Sequence, residues 1–324
     1  MGTVHPMATR RLRRWLVAGL LPAFVILSSH PALAAASKPQ GPPPAHASWL
    51  IDYSTVTAPM FAAGLPQGNP FDGVVVRGAD DQDPWQCAPL GSQTDDVASV
   101  TAGRSSEGRY THNFLHLWTL NESTPWSWAN STCTGNLVGG FTALANTASA
   151  GGFDGLMLDV ETYGQGNPWA ALKSYKAVKA TATQIGRALA ARHEVLYMTM
   201  ARSAYAADPT TYGAMPSFVD GVLAGGATVI DGNLPSYWYS TASQYSSAFA
   251  SLKSAQPGEL VGQATYLDAA PSIQANVTAS LENSDRYAWV YTDGAYGWWW
   301  GTPAMSPTVV SEVEAGRQAA GLPA

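Results

Sequence analysis

The chain runs to 324 residues, carries a formal net charge of −6 and devotes only 12% of its positions to Asp, Glu, Lys and Arg, while 12 Trp and 14 Tyr stand out. That acidic balance excludes nucleic acid and anionic membrane surfaces as electrostatic partners. Its length and 46% apolar content supply a substantial core.

Arg10, Arg11, Arg13 and Arg14 precede an apolar stretch from Trp15 to Leu27 and then Pro31-Ala32-Leu33-Ala34, the layout of a secretory signal with its cleavage site. Residues 1–36 are therefore expected to be removed on export, leaving a protein that is extracellular or periplasmic and has no membrane partner after cleavage. No later stretch approaches the roughly 20 uninterrupted apolar residues of a membrane span. Residues 37–47, rich in Pro, Gly and Ala, read as a short extended linker, and residues 48–324 as one domain.

From the linker onward, short apolar runs alternate with longer helical patterns. Strands are expected at 49–53, 73–77, 113–120, 155–160, 195–200, 228–231, 260–265 and 287–291. Helices are expected at 136–150, 169–193, 211–224, 241–255, 272–283 and 306–320. The clearest is 169–193, where Leu172, Tyr175, Val178, Ala182, Ile185 and Leu189 recur at spacings of three and four. The first two helical positions are the weakest in pattern: residues 57–64 are few, and residues 79–109 are mostly polar loop. Alternating strands and helices imply a parallel sheet with right-handed crossovers, and eight such units close into a single α/β domain, a (βα)8 TIM-type barrel.

Two cysteines, Cys87 and Cys133, allow one disulfide in an exported chain. They fall in the loops after the second and third strands, neighbours on the face where barrel strands end. The six His are scattered and no C-x-x-C occurs, so no metal set or cofactor is expected.

The most telling run is Phe153-Asp154-Gly155-Leu156-Met157-Leu158-Asp159-Val160-Glu161. Side chains alternate across a strand, so Met157, Asp159 and Glu161 share one face. Carboxylates on a face directed into a fold cost too much free energy to serve as filler, which makes Asp159 and Glu161 the candidate catalytic pair. On the eighth strand Trp289, Tyr291 and Asp293 share parity, and strands four and eight lie opposite each other in a closed barrel. Facing carboxylates are what glycoside hydrolysis uses, one to protonate the leaving oxygen and one as base or nucleophile. Other polar or aromatic groups near strand ends are Arg77, Arg202, Tyr237, Tyr239 and Asp268. Arg202, Tyr237, Tyr239 and Asp268, with Tyr163, Tyr291, Trp298 and Trp299, make candidate sugar contacts. His116 reads as a buried strand residue rather than a catalyst.

The run from Asp154 to Glu161 resembles the strand-four signature of the family 18 glycoside hydrolases, the chitinase-like barrels. The resemblance implies that Glu161 is the general acid and that Asp159 positions the substrate acetamido group, with Met157 standing where that family has another Asp. Over more of the chain, Pro70-Phe71-Asp72-Gly73, Asp154 to Gly164, and Trp289-Val290-Tyr291-Thr292-Asp293 with Trp298-Trp299 are similar to runs in secreted bacterial barrels described as glycoside hydrolases. There Asp293 stands in place of Glu.

The leading expectation is a secreted hydrolase of a poly- or oligosaccharide, with Glu161 as acid/base, Asp293 as partner carboxylate, and Asp159 keeping Glu161 protonated by charge repulsion. A catalytically silent carbohydrate-binding barrel is the alternative, with Met157 and the shortened Asp293 as marks of an eroded site. A third reading has Asp159 and Glu161 holding Ca2+ or Mg2+ for phosphodiester chemistry. Sugar, linkage and oligomeric state are not legible in the sequence.

Overall fold

The computed structural model describes residues 48–53, 72–79, 83–92, 97–98, 100–101, 112–119, 126–160, 167–170, 173–200, 205–206, 208–233, 241–255, 258, 260–266, 272–291 and 307–322. Eight strands stand in chain order: β1 Ser48–Tyr53, β2 Gly73–Arg77, β3 Phe114–Trp118, β4 Gly155–Asp159, β5 Val195–Met198, β6 Thr228–Asn233, β7 Leu260–Tyr266 and β8 Tyr287–Tyr291. Each pairs in parallel with the next, and β8 pairs with β1 in the register Ser48↔Tyr287 to Ile51↔Val290, so the sheet closes. The expected barrel is the observed one, and every strand lies within a few residues of its sequence reading.

Closure sorts the side chains. Val75, Phe114, Met157, Tyr197, Ile230, Ala264, Tyr287 and Trp289 pack together inside the ring. Their neighbours in sequence, Val74, Val76, Leu115, Leu117, Leu156, Leu158, Leu196 and Met198, form the larger core against the surrounding helices. Parallel strands covered on both faces read as near-continuous apolar runs, as these do.

The described α-helices are α1 Ser131–Gly151, α2 Tyr175–Ala190, α3 Met215–Ala224, α4 Ala242–Ala255, α5 Ile273–Glu282 and α6 Pro307–Ala319. Their ends follow local chemistry. Asn130 caps α1 by accepting from the amides of Thr132 and Cys133, and Gly152 ends it in the left-handed conformation at φ 69°. Thr241 precedes α4, and the Gln244 side chain reaches back 2.6 Å to accept from its amide, half of a capping box. Pro307 opens α6 at the position where a missing amide costs nothing.

The helix read over 169–193 starts six residues late. Asn167 accepts from the amide of Trp169 in an Asx turn, and the Trp169 indole is fully buried against Trp85, Trp128 and Phe218 at 5.3–6.5 Å between ring centroids. Burying that indole outweighs one more helical turn. At the other end His193 sits at φ 57°, which stops the helix short of it. Residues 57–64 lie outside the described residues, and within 79–109 the structure shows a 3-10 turn at Asp83–Gln86.

Cys87 and Cys133 are joined in a disulfide, and the Asn136 amide donates to the Cys87 carbonyl at 2.8 Å. Beneath it Trp85, Trp126, Trp128, Trp169, Phe141 and Phe218 form one aromatic cluster. These rings are packing residues between strands and helices, so this share of the aromatic excess is core. Among the described residues no helix is long and apolar enough to cross a membrane.

Candidate active site at the mouth of the barrel

The strands deliver their last residues to one end of the ring, and Asp159 is the last residue of β4. Met157, two residues earlier, is fully buried in the interior cluster, so alternation turns Asp159 inward as well. Its side chain keeps 26% of its surface exposed, which places it at the boundary between packed lumen and solvent.

Both neighbouring strands hold this carboxylate. Thr199, just past β5, donates its hydroxyl to Asp159 Oδ1 at 3.1 Å, and the same Oγ accepts from the Val160 amide at 3.0 Å. On the other side His116 of β3 brings Nε2 to 3.6 Å from Asp159 Oδ2. His116 is 4% exposed, a buried strand residue as the sequence suggested, yet it is also an ionisable neighbour of the candidate acid. Arg77, at the end of β2, is the register partner of His116 and shares the lumen-facing parity of Val75. A guanidinium, an imidazole and a carboxylate thus stand on three consecutive strands.

One layer below, the medium turns apolar. Tyr197 is fully buried next to Met157 in register, and its hydroxyl has no hydrogen-bond partner among the described residues. Burial first, and then the negative charge of Asp231, hold its phenol well above the ordinary value. A Cβ on Gly262 would run into that ring and hydroxyl, so β7 needs glycine there.

The opposite end of the barrel is also polar. Asp154 precedes β4, and its Oδ2 lies 2.7 Å from His112 Nδ1 and accepts from the Tyr287 hydroxyl at 2.8 Å. Arg286 stacks over the Tyr287 ring at 5.3 Å. A cavity of about 290 Å³ opens beside them, lined in part by His193, Glu194 and Arg286. Asp72 likewise lies at a strand start, where Arg317 of α6 grips it with two bonds of 2.9 and 3.0 Å. The Asp-Gly pairs at 72–73 and 154–155 therefore belong to the floor and its fastenings. Gly155 is required because a Cβ there would collide with the Val195 carbonyl.

Of the candidate site residues, Asp159 is placed at the mouth. Trp289 is buried in the lumen, which gives β8 the parity expected for Tyr291 and Asp293. Tyr291 ends β8, but its side chain lies outside the described residues, as do Glu161, Tyr163, Arg202, Tyr237, Tyr239, Asp268, Asp293, Trp298 and Trp299. The sequence reading missed Thr199, a Thr one residue beyond the apolar run of β5. Strand-end position was the one signal it offered.

No protein-family model matches the chain, and no curated protein sequence does. Solved structures do. A chitinase from Chromobacterium violaceum aligns over 83% of this chain and 98% of its own at 11% identity and a TM-score of 0.50. The chain has the fold of that barrel. A GH18 chitinase from Pseudoalteromonas aurantia covers 84% of this chain and 100% of its own at 11% identity and a TM-score of 0.49. A family 18 chitinase from Crocus vernus covers 84% and 97% at 11% identity and a TM-score of 0.49. Identity this low reaches the fold and stops there.

Proposed function

We propose that the chain is an exported glycoside hydrolase that cleaves a poly- or oligosaccharide by carboxylate chemistry at the mouth of the barrel. The observation that carries this reading is the inward turn of Met157 and Asp159 on β4, because the same alternation, continued along the sequence, assigns Glu161 to the side where barrel enzymes place their catalytic groups. Glu161 protonates the leaving oxygen, and Asp293 is the partner carboxylate from the eighth strand. Asp159, held between Thr199 and His116, supplies negative charge that keeps Glu161 in its acid form. Tyr163, Tyr291, Trp298 and Trp299 give the sugar rings apolar faces to stack on. Arg202, Tyr237, Tyr239 and Asp268 bond their hydroxyls, and the residue 1–36 signal directs export.

A second reading is favoured by one observation: Met157, where a chitinase-like strand carries an acid, is sealed in an apolar layer. Such a barrel binds glycans without cleaving them. The two readings separate on one experiment. Glu161→Gln, a nearly isosteric change, should lower release of reducing ends by about a hundredfold or more while the folded state persists. Wild-type binding of glycans with no reducing-end release selects the silent barrel, and undiminished cleavage by the Gln variant removes Glu161 from the mechanism.

A further inference from the structure

His116 is buried inside the ring, two residues past Phe114 on the same lumen face. An interior of Val, Phe, Met, Ile and Ala is a poor solvent for an imidazolium, so a histidine there needs a reason. The structure supplies one in Asp159 on the adjacent strand, whose Oδ2 lies 3.6 Å from His116 Nε2. That separation is too long for a hydrogen bond and within the reach of an ion pair. The other carboxylate oxygen is taken by Thr199, so Asp159 is oriented with one oxygen toward β5 and one toward β3.

We propose that His116 is a positioning residue for Asp159, its ring charge deciding how much of the carboxylate's negative field reaches the mouth of the barrel. With the ring protonated, the pair is internally neutral and Asp159 is drawn toward β3. With the ring neutral, Asp159 presents its full charge to whatever stands above it. The charged groups on the two strands that flank β3 are Arg77 on β2, which opposes ring protonation, and Asp159 on β4, which favours it; the neutral Tyr197 phenol stands two strands away on β5. Glu161 joins them by sequence parity, outside the described residues. The inference deepens the hydrolase reading, because the field it controls is the one assigned to hold Glu161 protonated.

The test begins without any substrate. Histidine ring resonances of the full chain are followed by NMR against pH, with His116→Asn giving the assignment. In Asp159→Asn, which retains the acceptor for Thr199, the His116 midpoint is expected to move to lower pH because the stabilising anion has gone. A midpoint that does not move, or moves upward, overturns the proposal. On activity, His116→Gln is expected to change the shape of the kcat/KM–pH profile while leaving KM nearly constant. A profile scaled equally at every pH overturns it too. If His116→Gln fails to fold, the Asp159→Asn titration still decides the matter. A chain that cleaves no glycan removes the hydrolase reading and leaves the ring titration intact as a measurement. An active chain whose His116 ignores Asp159→Asn removes this inference alone.

Discussion

Tyr287, which opens β8, donates its hydroxyl to Asp154, which precedes β4, at 2.8 Å. Strands four and eight are opposite each other in a ring of eight, so this one bond spans the barrel floor. It shows that the two strands carrying the proposed carboxylates face across a common axis. His112 closes the arrangement by approaching the same Asp154 oxygen at 2.7 Å and packing edge-on to the Tyr287 ring at 5.8 Å. Tyr287→Phe keeps the ring and removes the donor, leaving a partly buried carboxylate with one fewer partner. The expected loss is about 1–2 kcal/mol, read as a lower urea midpoint at unchanged slope, with activity at the far end of the barrel preserved. An unchanged midpoint would mean that the floor bond contributes nothing.

The same phenol bears on alkaline stability. Burial, followed by the charge of Asp154, raises the Tyr287 pKa, and burial followed by Asp231 raises that of Tyr197. A raised folded-state value contributes stability that is complete below the unfolded phenol value, about 10, and fades as pH climbs above it. The unfolded chain then releases protons that the native chain retains. Each tyrosine should therefore cost about 1.4 kcal/mol of stability per pH unit in that range. Unfolding free energy measured from pH 9 to 11 should fall steeply, and Tyr287→Phe should reduce the slope by roughly half of the pair's contribution. A slope identical in wild type and variant would show that Tyr287 titrates as an ordinary phenol.

Asp72 and Arg317 are joined by two bonds of 2.9 and 3.0 Å, with the Arg317 side chain 6% exposed. The fork ties the last helix to the start of β2 across most of the sequence. Asp72→Ala removes both bonds of the fork from a buried guanidinium, at an expected cost of about 3 kcal/mol. Arg317→Lys removes the planar two-point contact and should also destabilise, by less. Thermal unfolding of the two variants checks the order, and a more stable Asp72→Ala protein would contradict it.

How much of this could be read in the sequence depends on which residues set the answer. The strands were legible because alternation and apolar runs are local: Gly73–Arg77 and Tyr287–Tyr291 have the bounds that the pattern gives. The lumen face of β4 was legible for the same reason. The start of α2 was not, because the burial of Trp169 depends on Trp85, Trp128 and Phe218 arriving from elsewhere in the chain. Asp72 and Asp154, which the sequence shows only as members of runs resembling other barrels, fasten the floor through Arg317, His112 and Tyr287, partners up to 245 positions away. His116 was recognised as buried. Its approach to Asp159 comes from the β3–β4 register, which no spacing along the chain encodes.

Met157 supplies the last expectation. In chitinase-like barrels an acid stands at this point of the strand, so restoring it is the obvious route to a stronger site. The packing argues the reverse. Met157 is fully buried in a layer with Val75, Phe114, Ile230 and Ala264, and its register partner on β5 is Tyr197, whose hydroxyl is the one donor offered from that side. A carboxyl group placed there loses its hydration, which the Tyr197 hydroxyl and the ring of His116, its register partner on β3, offset only in part, at a net cost of a few kcal/mol. Met157→Leu, by contrast, should cost less than about 1.5 kcal/mol. Met157→Asp is therefore expected to lower Tm markedly without raising glycan cleavage, and circular dichroism melts of the two variants beside wild type measure both effects. A Met157→Asp protein as stable as wild type would show that water or an unaccounted partner reaches this layer.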